Sequence, residues 1–194
     1  MEALRQMILE QGRGIGTEIV KVDMFLNHRI DTRLLFLMGE AWAEEFRADK
    51  PDLVLTVEAS GIAMAVAAAH ALGDLPVIFA KKGATVVQDE NLVQAPVYSF
   101  THKQQNTIRV ERQYLPAGSR VLIIDDFLAD GQAVKGLMSL CEQQGAQVVG
   151  VGIAVEKGFQ PGGKELRAAG VHLKSLAVVD GIGDGEIRLR PEDG

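Results

Sequence analysis

Four short runs of β-branched and aliphatic residues stand out along the chain because polar residues do not alternate with them: Leu53 to Val57, Val77 to Ala80, Val121 to Ile124 and Val148 to Val155. Such runs are expected of strands covered on both faces, as in a parallel sheet. Helical spacing of apolar residues is seen over Asp31 to Asp49, Ile62 to Leu72, Gln132 to Gln144 and Lys164 to Ala169. The last three stop at Gly73, Gly145 and Gly170, where glycine most easily takes a left-handed C-cap. The alternation predicts an α/β fold, a single open, mostly parallel sheet flanked by helices. One segment breaks the rhythm. Between Ala84 and Tyr114, "APVYSF" and "NTIRVERQY" read as two exposed strands joined by the polar turn "THKQQN", a hairpin ribbon projecting from the sheet. "DGIGDGE" near the C-terminus reads as a short turn. With no repeat, low-complexity tract or Pro/Ser linker, residues 1–194 read as one domain.

Composition adds mainly exclusions. With 47% hydrophobic and 24% charged residues, the chain is an ordinary soluble domain able to bury a substantial core. A net charge of -6 argues against a broad nucleic-acid surface, so any phosphate must be bound locally. Apolar stretches such as Ile62 to Ala69 fall far short of the ~20 residues that span a bilayer. The opening "MEALRQMILEQG" lacks the apolar core of a signal peptide, which points to the cytoplasm. Cys141, the single cysteine, lies among Leu137, Met138 and Leu140 and reads as a packed, inert thiol. His28, His70, His102 and His172 share no spacing with Cys or acids that suggests a metal site.

The candidate chemistry lies in "VLIIDDFLADGQAV", residues 121 to 134. A buried-strand run ends in Asp125 and Asp126, followed by a small loop, Phe127 to Gly131, and a helix. In open α/β sheets, ligands bind beyond the carboxyl ends of the strands, where helix N-termini favour anions. A second such corner is "LVLTVEASGIAMAV", where Ser60 and Gly61 precede a helix and the serine hydroxyl adds a donor. Either corner alone also fits glycine and serine placed for steric reasons. The adjacent acids alternate across the pleat, and beside a phosphate their natural partners are sugar hydroxyls or a metal carried by the same ligand. Phosphate, ribose and diphosphate in one row describe phosphoribosyl diphosphate. A solvated strand end making caps and surface pairs is the competing reading of the acids. A phosphorylated receiver domain would place its acid pair near the domain start, not well past mid-chain. "GRGIGT", residues 12 to 17, has G-x-G-x-G spacing with no apolar strand before it and reads as a turn.

"VLIIDDFLADGQA" resembles the phosphoribosyl-diphosphate signature of the type I phosphoribosyltransferases, and the resemblance spans the chain. "VEASGIAMA" resembles the family's diphosphate loop, "FAKKGATVV" the strand and basic turn before its flexible lid, and "NLVQAPVYSFTHKQQNTIRV" the lid hairpin, at about residues 84–114. "EIVKVDMFLNHRID" and "AVEKGFQPGGKEL" look most like the xanthine phosphoribosyltransferase branch, whose hood would be formed here by about 1–35 and 156–194. The resemblance implies transfer of a phosphoribosyl group to xanthine, giving xanthosine 5'-monophosphate and diphosphate in purine salvage. It implies Asp125 and Asp126 as the catalytic pair. Donor binding falls to Ala129, Asp130, Gly131, Gln132 and Ala133 together with Ser60, Gly61 and Lys81. Val20, Asn27, Lys157 and Phe159 would line the base. Mg²⁺ is expected as the chelate of the donor, with no dedicated protein cage. Lys81, reaching a neighbouring subunit's site, implies a homodimer.

Relatives mostly carry Thr or Ser in the phosphate loop, whereas Ala129 to Ala133 has no hydroxyl. Asp130 is therefore expected to turn away or cap the helix, leaving the backbone to supply most donors. Taken alone, Asn27 before His28 also fits a turn residue, Lys157 a strand-end charge and Lys82 a solvated one, while Glu58 fits either a metal or water ligand or a helix cap. Guanine/hypoxanthine or adenine transferases share the pattern, as do regulators that sense phosphoribosyl diphosphate. A DNA-binding regulator needs an additional amino-terminal domain, and an RNA-binding one a basic face.

Overall fold

The computed structural model of the chain describes residues 1–83, 89–99 and 104–191. Its elements in order are α1 (Glu2–Gln11), β1 (Arg13–Ile15), β2 (Ile19–Lys21), α2 (Thr32–Phe46), β3 (Leu53–Val57), α3 (Gly61–Ala71), β4 (Val77–Gly83), β5 (Leu92–Ser99), β6 (Gln104–Glu111), β7 (Arg120–Leu128), α4 (Gln132–Gln144), β8 (Gln147–Lys157), α5 (Gly162–Ala168), β9 (Leu173–Gly183) and β10 (Glu186–Leu189). A single π-type turn, Asp23–Asn27, precedes α2.

Eight strands form one sheet in the order β10-β9-β8-β7-β3-β4-β6-β5, and β1 and β2 pair separately as an antiparallel hairpin. Five central strands are parallel, and the edges are antiparallel. The continuous aliphatic runs follow from this, because helices cover both faces. Along β7, Leu122 and Ile124 pack with Met38, Trp42, Phe46 and Met64 of α2 and α3. Val121 and Ile123 pack on the other face with Leu137 and Leu140 of α4, Ile108 of β6 and Leu166 of α5. Asp31 caps α2, its Oδ1 accepting from the Leu34 amide at 2.9 Å, a contact worth about 1 kcal/mol. Gly73, Gly145 and Gly170 have φ of +100°, +69° and +79°, as the helix-stop reading requires.

Several expectations are corrected. The ribbon does not project from the sheet, because Lys81 to Gly83 extend β4 and pair with Thr107 to Arg109 of β6, making the hairpin the sheet's edge. Part of the expected lid, residues 84–88 and 100–103, lies outside the described residues, as does His102. The acid pair is not at a strand end, since β7 runs on to Leu128 and pairs Phe127 with Val155 and Leu128 with Glu156. The phosphate loop shrinks to Ala129–Gly131 because β8 is long enough to partner those extra residues. "DGIGDGE" is only partly a turn: β9 extends through Gly183, and the reversal comes at Asp184 and Gly185, both with positive φ. "GRGIGT" likewise contains a strand, β1, with its turn at Gly16 (φ +58°).

The N-terminal segment packs along β9 and the turn that follows it. Gly14 N donates to Gly185 O at 3.1 Å and the terminal amine donates to Leu176 O at 2.7 Å. The π-type turn brings Asn27 to Asp126 of β7.

Candidate active site

Asp125 and Asp126 point to opposite faces of β7, as their adjacency predicts. Asp125 is buried, at 4% exposure, and its Oδ1 accepts from the Asp126 amide at 3.0 Å. Burial first, then the neighbouring Asp126 charge, hold its carboxyl well above the usual carboxylate range, while Lys82 pulls the other way. Asp126 is half-buried, and its Oδ1 accepts from the Phe127 amide at 2.9 Å. On the other side, Asn27 Nδ2 lies 3.4 Å from Asp126 Oδ2, and Asn27 Oδ1 is buried with no hydrogen-bond partner among the described residues. A buried amide oxygen left bare is costly unless something donates to it.

The corner after β3 abuts the acids. A side chain at Gly61 would collide with Thr56 Oγ1 and come 3.1 Å from Asp125 Oδ1, so the steric reason for glycine holds. Ser60 makes no side-chain cap to α3. The Glu58–Ala59 peptide is cis. Glu58 does not cap the helix; its Oε1 accepts from the Lys82 amide at 2.6 Å, tying this corner to β4. The pleat places Lys82 on the face of Asp125 and Lys81 on the opposite face, beside Phe79 and Arg109. Lys81, expected among the donor-binding residues, is thus on the face opposite Asp125, and Lys82 is the cation the structure brings to Asp125.

At the corner after β7, Gly131 takes φ +81° at the start of α4. Asp130 caps the turn as expected, its Oδ1 accepting from the Gln132 amide at 3.1 Å. That contact occupies the Gln132 N–H.

Of the expected base-lining residues, Val20 is buried, Phe159 is 37% exposed and Lys157 is half-buried. Lys157 Nζ donates to the Glu18 carbonyl at 2.9 Å and sits 5.9 Å from the centroid of the Phe127 ring. Burial lowers its pKa, against the opposing charges of Glu18 and Asp130. Phe127 was not anticipated as a wall of this site. Its signal was the position two residues beyond Asp125 on the same strand. Also missed was the support beneath Lys157. Glu156 is 2% exposed, gripped by Arg167 through two bonds of 2.7 Å, with Ser175 Oγ donating as well. Burial alone would raise the Glu156 carboxyl, but the Arg167 and Ser175 contacts outweigh it and hold it low.

Among the described residues no three His, Cys, Asp or Glu side chains converge to hold a metal. Two carboxylates at different depths fit a hard cation that arrives with most of its oxygen ligands already supplied. None of the described helices is long and apolar enough to cross a membrane.

The phosphoribosyl transferase domain family matches residues 29–169. A xanthine phosphoribosyltransferase of Bacillus licheniformis is 46% identical over 194 residues, covering 100% of both chains. That of Laribacter hongkongensis is 45% identical over 97% of this chain and 100% of its own. Among solved structures, an adenine phosphoribosyltransferase of Rhodothermus marinus superposes with a TM-score of 0.71 over 91% of this chain and 98% of its own. At 23% identity that likeness speaks for the fold alone.

Proposed function

Because the chain belongs to the phosphoribosyltransferase family, we propose that it transfers the phosphoribosyl group of phosphoribosyl diphosphate to xanthine, yielding xanthosine 5'-monophosphate and diphosphate in purine salvage. The observation that carries the reading is Asn27. Its amide nitrogen is directed at Asp126 while its buried oxygen waits for a donor. A purine ring N–H is such a donor, and a base seated there lies next to the sugar that Asp126 would hold. Lys157, across the crevice, offers its ammonium to the electron-rich carbonyl of an oxidised purine, and Phe159 and Phe127 offer faces to the ring. Adenine lacks that oxygen.

In the reaction, a bond forms from a purine ring nitrogen to C1 of the ribose as the bond from C1 to the diphosphate oxygen breaks, and the imidazole-ring proton of the base passes to solvent or to the departing diphosphate. No protein nucleophile is needed. The residues act by alignment and by stabilising charge. Asp126 grips the ribose hydroxyls from the accessible face of β7, and Asp125 supports it from the buried one. Backbone amides of Ala129 to Ala133 hold the 5-phosphate, with Gln132 contributing the first turn of α4. Ser60 and Gly61 receive the diphosphate, and Lys82 faces it. Asp126 is the residue that would hold a Mg²⁺ arriving with the donor, and the ion would supply neutralisation of the diphosphate charge. Lys81 serves a second copy of the chain in a homodimer. This is supported by a groove of about 820 Å³ on its face, lined by Val77, Phe79, Arg109 and Tyr114, with Phe79 40% exposed. The cytoplasm is the compartment, supported by Cys141 as a free, buried thiol.

Calorimetric titration with Mg²⁺ and phosphoribosyl diphosphate tests the reading. One donor per chain is expected, and the absence of binding heat at several temperatures overturns it.

A further inference from the structure

The turn between Lys157, the last residue of β8, and Gly162, the first of α5, carries Phe159, and at Gly162 it is pressed against the phosphate loop. Gly162 N donates to Ala129 O at 3.0 Å. A side chain at Gly162 would lie 2.5 Å from Ala129 O, 2.7 Å from Gly131 N and 2.8 Å from the Asp130 carbonyl carbon. All three are backbone atoms of the phosphate loop, so no rotamer change makes room. Reciprocally, a side chain at Gly131 would come 3.4 Å from Gly162 Cα. Gly162 has no need of glycine for its dihedrals, since its φ is not positive. Closeness to the phosphate loop is the reason for the residue.

The buttress is itself anchored. Beside it, a side chain at Gly163 would collide with the Glu156 carboxylate, which Arg167 and Ser175 fix in place. Arg167 sits in α5 and Ser175 in β9, so the loop cannot recede without breaking a partly buried ion pair.

We propose that Gly162 is a positioning residue for the sugar-phosphate donor: the base-binding loop, through the backbone of Gly162, sets the shape of the Ala129–Gly131 loop that receives the 5-phosphate. The proposal rests on the reading of that loop as the phosphate site. Its substrate selectivity is distinctive. Displacing the phosphate loop weakens the donor, whereas Lys157 and Asn27 are anchored separately, on Glu18 and Asp126, and keep the base.

The test compares Gly162→Ala with wild type and with Lys164→Ala, an exposed α5 control. Ribose 5-phosphate binding is measured by calorimetry, with KM for donor and xanthine and the melting temperature alongside. Gly162→Ala is expected to weaken ribose 5-phosphate and raise the donor KM at least about tenfold, because displacements near 1 Å at such sites have effects of that size or more. Its xanthine KM stays within about twofold of wild type, and Lys164→Ala behaves as wild type. Unchanged ribose 5-phosphate affinity in folded Gly162→Ala overturns the proposal alone, as does an equal loss for donor and base. A wild-type chain that binds no ribose 5-phosphate overturns the phosphate-loop reading and the proposal with it. Should Gly162→Ala fail to fold, amide exchange in the wild type decides: ribose 5-phosphate slows exchange at the Gly162 amide if loop and buttress are one unit, by the reciprocity of coupling, and an unchanged rate overturns it.

Discussion

Asn27 Nδ2 lies 3.4 Å from Asp126 Oδ2, a contact that joins residues 99 apart in sequence and spans the boundary between the expected base and sugar halves of the crevice. The amide is oriented by this contact, with its oxygen left for a ligand. Asn27→Ala is expected to lower kcat/KM for xanthine by about 10- to 100-fold, the cost of leaving a substrate's hydrogen-bonding group unmatched. The melting temperature should change little. Steady-state kinetics with xanthine varied at saturating donor check this, and an unchanged kcat/KM contradicts the assignment.

Asp126→Asn removes the charge that faces the ribose while keeping the size of the side chain. Use of the ribosyl donor should fall far more than stability, by about 100-fold or more in kcat/KM for the donor if the contact strengthens in the transition state. Donor kinetics and thermal melting measured on the same preparation separate the two effects. Wild-type donor kinetics would remove the sugar-binding role.

Arg167→Met leaves the Glu156 carboxylate buried with Ser175 as its remaining side-chain hydrogen-bond partner among the described residues. Breaking such a pair from one side costs about 3–5 kcal/mol when both partners are buried. Arg167 is 42% exposed, so about 2–3 kcal/mol is expected, with solvent screening part of the loss. Urea unfolding followed by circular dichroism measures it, and a change under about 0.5 kcal/mol, the size of an ordinary surface substitution, contradicts the role.

His172 sits between two carboxylates, Nε2 3.0 Å from Glu45 Oε1 and Nδ1 2.9 Å from Asp49 Oδ2. Both nitrogens can donate only when the ring is doubly protonated. The Glu45 hydrogen bond first, then Asp49, outweigh desolvation and raise the His172 pKa. Its contribution to stability is therefore complete below the unfolded value of about 6.5 and is lost as pH rises through the folded value. Glu45, held low by His172 and Lys174, contributes above its unfolded value and loses that contribution only in acid. The melting temperature should decline modestly from pH 6 toward pH 9, with solvent screening keeping the effect small. His172→Gln should remove that part of the decline, and an identical pH profile in the variant contradicts the assignment.

Much of this was legible in the chain. The runs Leu53 to Val57 and Gln132 to Gln144 match observed elements end for end, because buried strands and capped helices carry local signals. β9 was not read as a strand, because its polar ends, Lys174 and Asp180, and its glycines break the aliphatic run, and only pairing with β8 makes the strand. The acids and both corners were legible because two loops and an acid pair are each contiguous in sequence. The Asn27 contact to Asp126, the turning of Lys82 rather than Lys81 toward Asp125, and the Gly162 buttress depend on long-range packing or on pleat register, which a one-residue shift inverts. No local pattern encodes them.

The central claim, transfer to an oxidised purine, is tested most directly by measuring diphosphate release from phosphoribosyl diphosphate with xanthine, guanine, hypoxanthine and adenine in turn. Turnover should be highest with xanthine and absent or marginal with adenine, which offers no carbonyl to Lys157. Equal or faster release with adenine would contradict the account.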